Sequence, residues 1–231
     1  MAESCLLYYI TDRIAFPGDE SSRRRRLLEK IAEAARAGVD YIQLREKDLC
    51  SRDLESLASE AVRIVREAGK LAPGNKNQEP ALLINSRTDV ALAAQADGVH
   101  LRSDDISPKE VRRIWNSACG AGTPARQLSP RDPLIGVSCH SPLRVDKAAA
   151  GATFAVFAPV FEKKDAPTTQ PTGLAMLEQA CRTNIPILAL GGVTLSNARA
   201  CLEAGAAGIA AIRLFQENTI AEVVQYLRNG H

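Results

Sequence analysis

Eight short runs of β-branched and aliphatic residues alternate with helical patterns along this chain, and that alternation constrains the fold more than any other feature. The runs are LLYYIT (6–11), YIQLRE (41–46), ALLINS (81–86), GVHLRS (98–103), LIGVSC (134–139), FAVFAPV (154–160), PILALGG (186–192) and GIAAIRL (208–214). They are nearly continuous in apolar character rather than strictly alternating, as strands covered on both faces are. Amphipathic segments such as RRLLEKIAEAARAG and LSNARACLEAG lie between them and end on glycine, a helix stop signal.

A weak internal repeat accompanies the alternation. RAGVDYIQL, AQADGVHL, AAGATFAVF and EAGAAGIAAI each close a helix with small residues and open the next strand. Their equivalent positions, Gly38, Gln95, Gly151 and Gly205, are spaced to carry two βα units per repeat. Eight βα units in 231 residues, with no Pro/Ser/Gly-rich linker, predict a single (β/α)8 TIM barrel over residues 1–231 rather than a Rossmann sheet. The two longest irregular stretches, 71–80 and 116–133, precede strands and are expected on the lower face.

Composition excludes several classes. With 45% apolar and 24% charged residues the chain has material for a sizeable core, and its net charge of +2 gives no general attraction to nucleic acid or membranes. The basic run Arg23 to Arg26 lacks interleaved aromatics and reads as a solvated helix face. Six cysteines are scattered without C-x-x-C or metal-ligand spacing, which suits reduced thiols. MAESCLLYYITD has no signal-peptide pattern, and no apolar stretch approaches a membrane span. The expectation is a cytoplasmic protein without nucleic-acid or membrane partners; the oligomeric state stays open, a homo-oligomer included.

In such a barrel, chemistry collects where strands end at the C-terminal face. Gln43, Arg45 and Lys47 alternate along the second run and so share a face. With Asn85, Ser138 and Lys163 or Lys164 they form a set of donors suited to a diphosphate. The competing reading of the second run is a salt-bridge layer with Glu46 and Asp48 as partners. GGVTLSN after the seventh run, with the end of the eighth (Ile212, Arg213), suits a phosphate cup built on the Gly191 and Gly192 amides; the alternative is a tight turn. Asp105 could hold Mg²⁺ with phosphate oxygens and water, or serve as a helix N-terminal acid. Cys139 and His140, being adjacent on a strand, face opposite ways and cannot act as a pair.

These strand ends, in order, resemble the thiamine phosphate synthase and TenI (thiazole tautomerase) superfamily, and more closely its synthase branch. The resemblance rests on YYITDR, GVDYIQLREKDL, LLINSRTDVALAAQADGVHL, IGVSCHS, APVF, IPILALGGVT and AGAAGIAAI. It implies an Mg²⁺-dependent transferase of thiamine biosynthesis that joins hydroxymethylpyrimidine diphosphate to a thiazole phosphate and releases diphosphate. Carried over by position, it implies catalytic roles for Arg45, Lys47, Ser138 and Lys164. Gln43, Asn85, Lys163, Gly192, Ile212 and Arg213 would bind substrate, Asp105 would bind the metal, and Ser86 would reach it through water. One of Lys163 and Lys164 matches the family's loop lysine.

The chain departs from the synthase pattern in several places. The acid expected after the third-strand asparagine is Ser86, and the glycine-glutamine before the fourth-strand acid is Arg102 and Ser103. The segment FEKKDAPTTQPTG is differently built, with Thr168 and Thr169 as substitutes, and Arg213 stands where a small hydroxyl residue is common. A tautomerase reading would use His140 as proton carrier without metal. A third reading is a barrel that binds a phosphorylated metabolite without turnover.

Overall fold

The computed structural model describes residues 5–70, 79–120, 132–162 and 170–229. Eight strands pair in parallel in chain order: β1 (Leu6–Ile10), β2 (Tyr41–Leu44), β3 (Ala81–Asn85), β4 (Gly98–Leu101), β5 (Leu134–Cys139), β6 (Phe154–Phe157), β7 (Ile187–Ala189) and β8 (Gly208–Ala211). Leu6 pairs with Gly208 and Tyr9 with Ala211, which closes the sheet into the expected (β/α)8 barrel. The outer helices are α1 (Glu20–Ala37), α2 (Ser51–Gly69), α3 (Thr88–Ala93), α4 (Pro108–Gly120), α5 (Pro142–Ala149), α6 (Gly173–Ala180), α7 (Leu195–Glu203), α8 (Arg213–Gln216) and α9 (Ile220–Asn229). None of the described helices is long and apolar enough to cross a membrane.

Period-two alternation divides the apolar residues into two cores. Leu7, Tyr9, Ile42, Leu44, Ile84 and Val99 point outward to the helices, where they meet Leu27 and Ile31 of α1 and Leu57 and Val65 of α2. Tyr8, Ile10, Leu83, Phe154, Val156, Leu188 and Ala210 point inward and fill the lumen. Each fully buried aliphatic or aromatic side chain contributes about 1.5–3 kcal/mol. The lumen floor is aromatic: Tyr41 stacks on Phe154 at 4.9 Å between ring centres, and Tyr8 meets both rings edge-on. α1 shows how local sequence sets a boundary. Asp19 accepts from the Ser22 amide at 2.9 Å, and Gly38 ends the helix at φ 81°.

The repeat has two structural meanings. Gly38, Gln95 and Gly205 all adopt positive φ (81°, 57° and 95°). Behind them Val39, Ala96 and Ala206 donate to the carbonyls of Ala34, Ala91 and Cys201, five residues back, which is the Schellman stop. Gly151 differs: Ala152 donates four residues back, to Ala148. Two residues further along each repeat, a side chain brackets the start of the preceding strand. Asp40 accepts from the Leu7 amide (2.7 Å), Asp97 from Leu82 (2.8 Å) and Thr153 from Ile135 (3.0 Å). At the fourth position Ala207 has no such group.

Apart from β5, which spans its whole run, the strands are shorter at their C-terminal ends than the apolar runs suggest. Gln43 is the only member of the Gln43–Arg45–Lys47 set inside β2, because the Arg45 amide donates to Thr11 Oγ1 instead of continuing the ladder. Ser86 leaves β3 with φ 59°, which no strand tolerates, and the run at 208–214 turns into α8 at Arg213. The stretches 71–78 and 121–131, and with them the expected lower-face placement, lie outside the described residues.

Candidate active site

Two polar chains cross the C-terminal mouth of the barrel. In the first, Gln43 Nε2 donates to Asn85 Oδ1 at 2.8 Å, and Asn85 Nδ2 donates to Ser86 Oγ at 3.3 Å. Gln43 is buried while Asn85 and Ser86 remain partly open to the mouth. Ser86 is fixed by its own amide, which donates to the His100 carbonyl at 2.9 Å. A serine at φ 59° is uncommon, since an L side chain there crowds the following carbonyl.

The second chain was not anticipated from the sequence. His100, inward-facing on β4 and buried, lies between Tyr8 and Ser138, with Nδ1 3.1 Å from the Tyr8 hydroxyl and Nε2 2.8 Å from Ser138 Oγ. Burial lowers the His100 pKa to about 3; Arg45 adds to the shift and Asp105 opposes it, so the fields of both reach the ring. Burial likewise pushes the Tyr8 hydroxyl well above its ordinary range. The sequence signal was present in GVHL, where Gly98 and His100 share the inward face. Its meaning depends on β1 and β5, which only the closed barrel brings alongside.

Arg45 and Lys47 sit in the loop after β2 with Glu46 and Asp48, the acids that a salt-bridge layer would use. The two acids are taken by Arg13, which no spacing in its own segment singles out. Its guanidinium reaches Asp48 at 2.7 Å, Glu20 at 2.8 Å and Glu46 at 3.3 Å, and Thr11 donates to the remaining Glu46 oxygen. Arg13 and Glu46 side chains are 4% and 1% exposed. Burial raises the Glu46 pKa against the lowering effect of Thr11 and Arg13, whereas hydrogen bonds from Arg13 lower that of Asp48. With its acidic neighbours turned toward Arg13, Arg45 makes no ion pair with any described residue and stays half-buried at the mouth.

Asp105 follows β4. Its Oδ2 accepts from the Arg102 amide at 2.7 Å, and its Oδ1 lies 3.3–3.4 Å from the Arg102 guanidinium. The Asp105 side chain is 13% exposed and Arg102 59%, so Oδ1 is held only by a loose contact to a solvent-facing group. No group of three or more His, Cys, Asp or Glu placed to hold a metal ion occurs among the described residues. The donor set therefore fits a hydrated Mg²⁺ that takes one carboxylate oxygen and completes its shell with water and phosphate oxygens, not a closed protein cage.

At the far side of the mouth, Gly191 and Gly192 adopt φ 96° and 66°. A Cβ on Gly192 would lie 2.3 Å from the Glu162 carbonyl oxygen and 2.8 Å from Phe161 Cβ, so the turn packs directly against the segment after β6. Asn197 closes a capping box with Thr194 and donates to the Gly192 carbonyl at 3.0 Å, holding the turn at the start of α7. Ile212 precedes α8, which begins at Arg213. Lys163, Lys164, Thr168 and Thr169 lie outside the described residues. His140 is apart from both polar chains: its Nδ1 donates to the Ala158 carbonyl at 2.7 Å, while Cys139 is buried on the other face. Arg87 pairs with Asp89 (2.6 Å) at the start of α3. Arg24 and Arg25 of the basic run pair with Glu60 and Glu29 on the outer surface.

The chain is similar to known proteins over most of its length. A family model described as thiamine monophosphate synthase matches residues 7–215. The thiamine-phosphate synthase of Roseiflexus sp. (strain RS-1) is 35% identical over 210 residues, covering 90% of this chain and 76% of the relative. That of Methanoculleus marisnigri is 35% identical over 209 residues, covering 89% and 85%. Among solved structures, thiamine phosphate pyrophosphorylase from Pyrococcus furiosus superposes with a TM-score of 0.73 at 27% identity, covering 98% of this chain and 95% of that one.

Proposed function

Because this chain belongs to the thiamine monophosphate synthase family, we propose that it joins hydroxymethylpyrimidine diphosphate to a thiazole phosphate, forming thiamine phosphate and releasing diphosphate. The observation that carries the site assignment is the mouth itself. Gln43, Asn85 and Ser138 stand at the ends of β2, β3 and β5 around the mouth, while Arg45 stands beside them with the nearby acids Glu46 and Asp48 tied to Arg13.

In this reading the bond from the pyrimidine methylene to the diphosphate oxygen breaks, and its electron pair leaves with the diphosphate. The thiazole nitrogen lone pair then forms the new carbon–nitrogen bond. Charge growing on the leaving group is met by donors already in place, Arg45 and Lys47 as cations and Gln43, Asn85 and Ser138 as neutral donors. Lys164, with Lys163, would close on the same group from the loop after β6. The turn at Gly191 and Gly192, with Ile212 and Arg213, would hold the thiazole phosphate so that its nitrogen faces the methylene. Asp105 would hold Mg²⁺, with Ser86 reaching it through water; bound there, the ion neutralises diphosphate charge. The reading treats residues 1–231 as one domain of a cytoplasmic enzyme that acts on small molecules.

One observation favours a second reaction. His140 has Nδ1 committed to a carbonyl, which in the neutral ring leaves Nε2 as a proton acceptor, as thiazole tautomerisation would require. A turnover assay with both substrates and Mg²⁺ separates the readings. Thiamine phosphate is the expected product. Metal-independent thiazole isomerisation alone would replace the synthase reading with the tautomerase one, and binding without turnover would indicate a non-catalytic barrel. Arg45→Ala should reduce kcat/KM by about 100-fold or more; near-normal turnover would remove Arg45 from the site.

A further inference from the structure

We propose that Tyr8 and His100 are positioning residues that fix the Ser138 hydroxyl as a donor aimed into the mouth, by holding the His100 ring in the tautomer that carries its proton on Nε2. The inference about the tautomer stands on geometry alone; its consequence for diphosphate rests on the reading of Ser138 given above.

The Tyr8 hydroxyl is fully buried in the lumen, and His100 Nδ1 at 3.1 Å is its hydrogen-bonding partner among the described residues. No buried side-chain nitrogen or oxygen among them lacks a partner. A neutral imidazole has one N–H and one lone pair, so two arrangements are available. If Nδ1 carried the proton, it would donate to the Tyr8 oxygen, and the phenolic proton would face the aromatic floor with no acceptor. That leaves a buried donor unsatisfied, the costly outcome. If Nε2 carries it, Tyr8 donates to Nδ1, Nε2 donates to Ser138 Oγ at 2.8 Å, and each buried donor is used. Ser138 then accepts from the histidine, and its own proton points away from His100, toward the mouth.

Packing holds the ring in that place. Gly136, paired with His100 across β4 and β5, has no side chain, and a Cβ there would come within 2.8 Å of His100 Nδ1 and 2.7 Å of the Phe154 ring. The Phe154 ring centre lies 5.4 Å from that of Tyr8 and 6.4 Å from that of His100. Burial disfavours the doubly protonated ring as well, leaving the neutral form. A hydroxyl free to rotate would spend part of its time donating to a histidine lone pair; here that option is removed before any anion arrives.

The test uses the intact protein labelled with ¹⁵N-histidine. Long-range proton–nitrogen spectra distinguish a proton-bearing ring nitrogen from a bare one, and the loss of signals in His100→Gln identifies those of His100 among the three histidines. A proton-bearing Nε2 with a bare Nδ1 is expected, and the reverse assignment overturns the proposal. Affinity for the pyrimidine diphosphate supplies the second readout. Ser138→Ala and His100→Leu should each weaken it about tenfold, with the double variant no weaker than either. His100→Gln, whose amide can donate to Ser138 and accept from Tyr8, should restore most of the affinity even if His100→Leu folds poorly. Multiplying effects in the double variant, or wild-type affinity in His100→Leu beside a weakened Ser138→Ala, refute the positioning role. Wild-type affinity in Ser138→Ala would instead refute the diphosphate reading of Ser138, while the spectra still decide the tautomer.

Discussion

Burying a neutral histidine makes the stability of this barrel depend on pH, with a sign and size that follow from the structure. His100 has an ordinary value of 6.5 lowered by burial to about 3. A base whose pKa falls on folding binds its proton more readily in the unfolded chain. Acid therefore favours unfolding between the two values, and the stabilisation present above pH 6.5 is lost as pH falls toward 3. Taking those values, the His100-linked loss between pH 8 and pH 5 is RT times the logarithm of about 32, or about 2 kcal/mol. Urea unfolding at pH 8, 7, 6 and 5 measures it when wild type is compared with His100→Gln, which has no ring to protonate. Glu46, whose burial raises its pKa, contributes with the opposite sign but equally in both proteins, so it cancels. The gap between the two proteins should narrow by about 2 kcal/mol from pH 8 to pH 5. A gap constant to within about 0.5 kcal/mol across that range would refute the claim that the ring is held neutral.

Three other substitutions probe features of the mouth. Arg13→Ala strands the buried Glu46 carboxylate and should cost about 3–5 kcal/mol in urea unfolding, with Arg13→Lys recovering only part because the fork is lost; a cost near zero would refute the clamp. Ser86→Asn should raise stability by about 0.5–1 kcal/mol, since asparagine tolerates positive φ better, and a clear loss in the denaturation midpoint would count against strain at this residue. Gly192→Ala combines φ 66° with a Cβ at 2.3 Å from a carbonyl oxygen and should cost about 2 kcal/mol or more. It should also weaken thiazole phosphate more than pyrimidine diphosphate in calorimetry; equal effects on both would remove Gly192 from the cup.

The barrel was legible because each of its eight strands is a self-contained apolar signal and helices such as α1, α3 and α7 carry their own stops. The mouth was legible where residue type and strand register coincide, as for Gln43 and Asn85, which the structure joins at 2.8 Å. Arg13 and His100 were not, because the partners that define them come from other segments, the loop after β2 for Arg13 and strands β1 and β5 for His100. Strand ends were overextended because period and hydrophobicity do not register a single backbone event, such as the Thr11 hydroxyl capturing the Arg45 amide or the positive φ of Ser86.

The side-chain brackets at Asp40, Asp97 and Thr153 carry a consequence for how the molecule comes apart. Each ties the second amide of an odd strand to the segment entering the next even strand, at the end of the barrel opposite the mouth. The sheet is thus stitched in twos, and amide exchange at low denaturant would release β1 with β2, β3 with β4 and β5 with β6 as common units. The fourth pair has no bracket at Ala207, so its cohesion falls to the ladder between β7 and β8 and to the seam where β8 meets β1. That quarter is the place for opening to begin, and it is also the quarter that carries the Gly191–Gly192 turn.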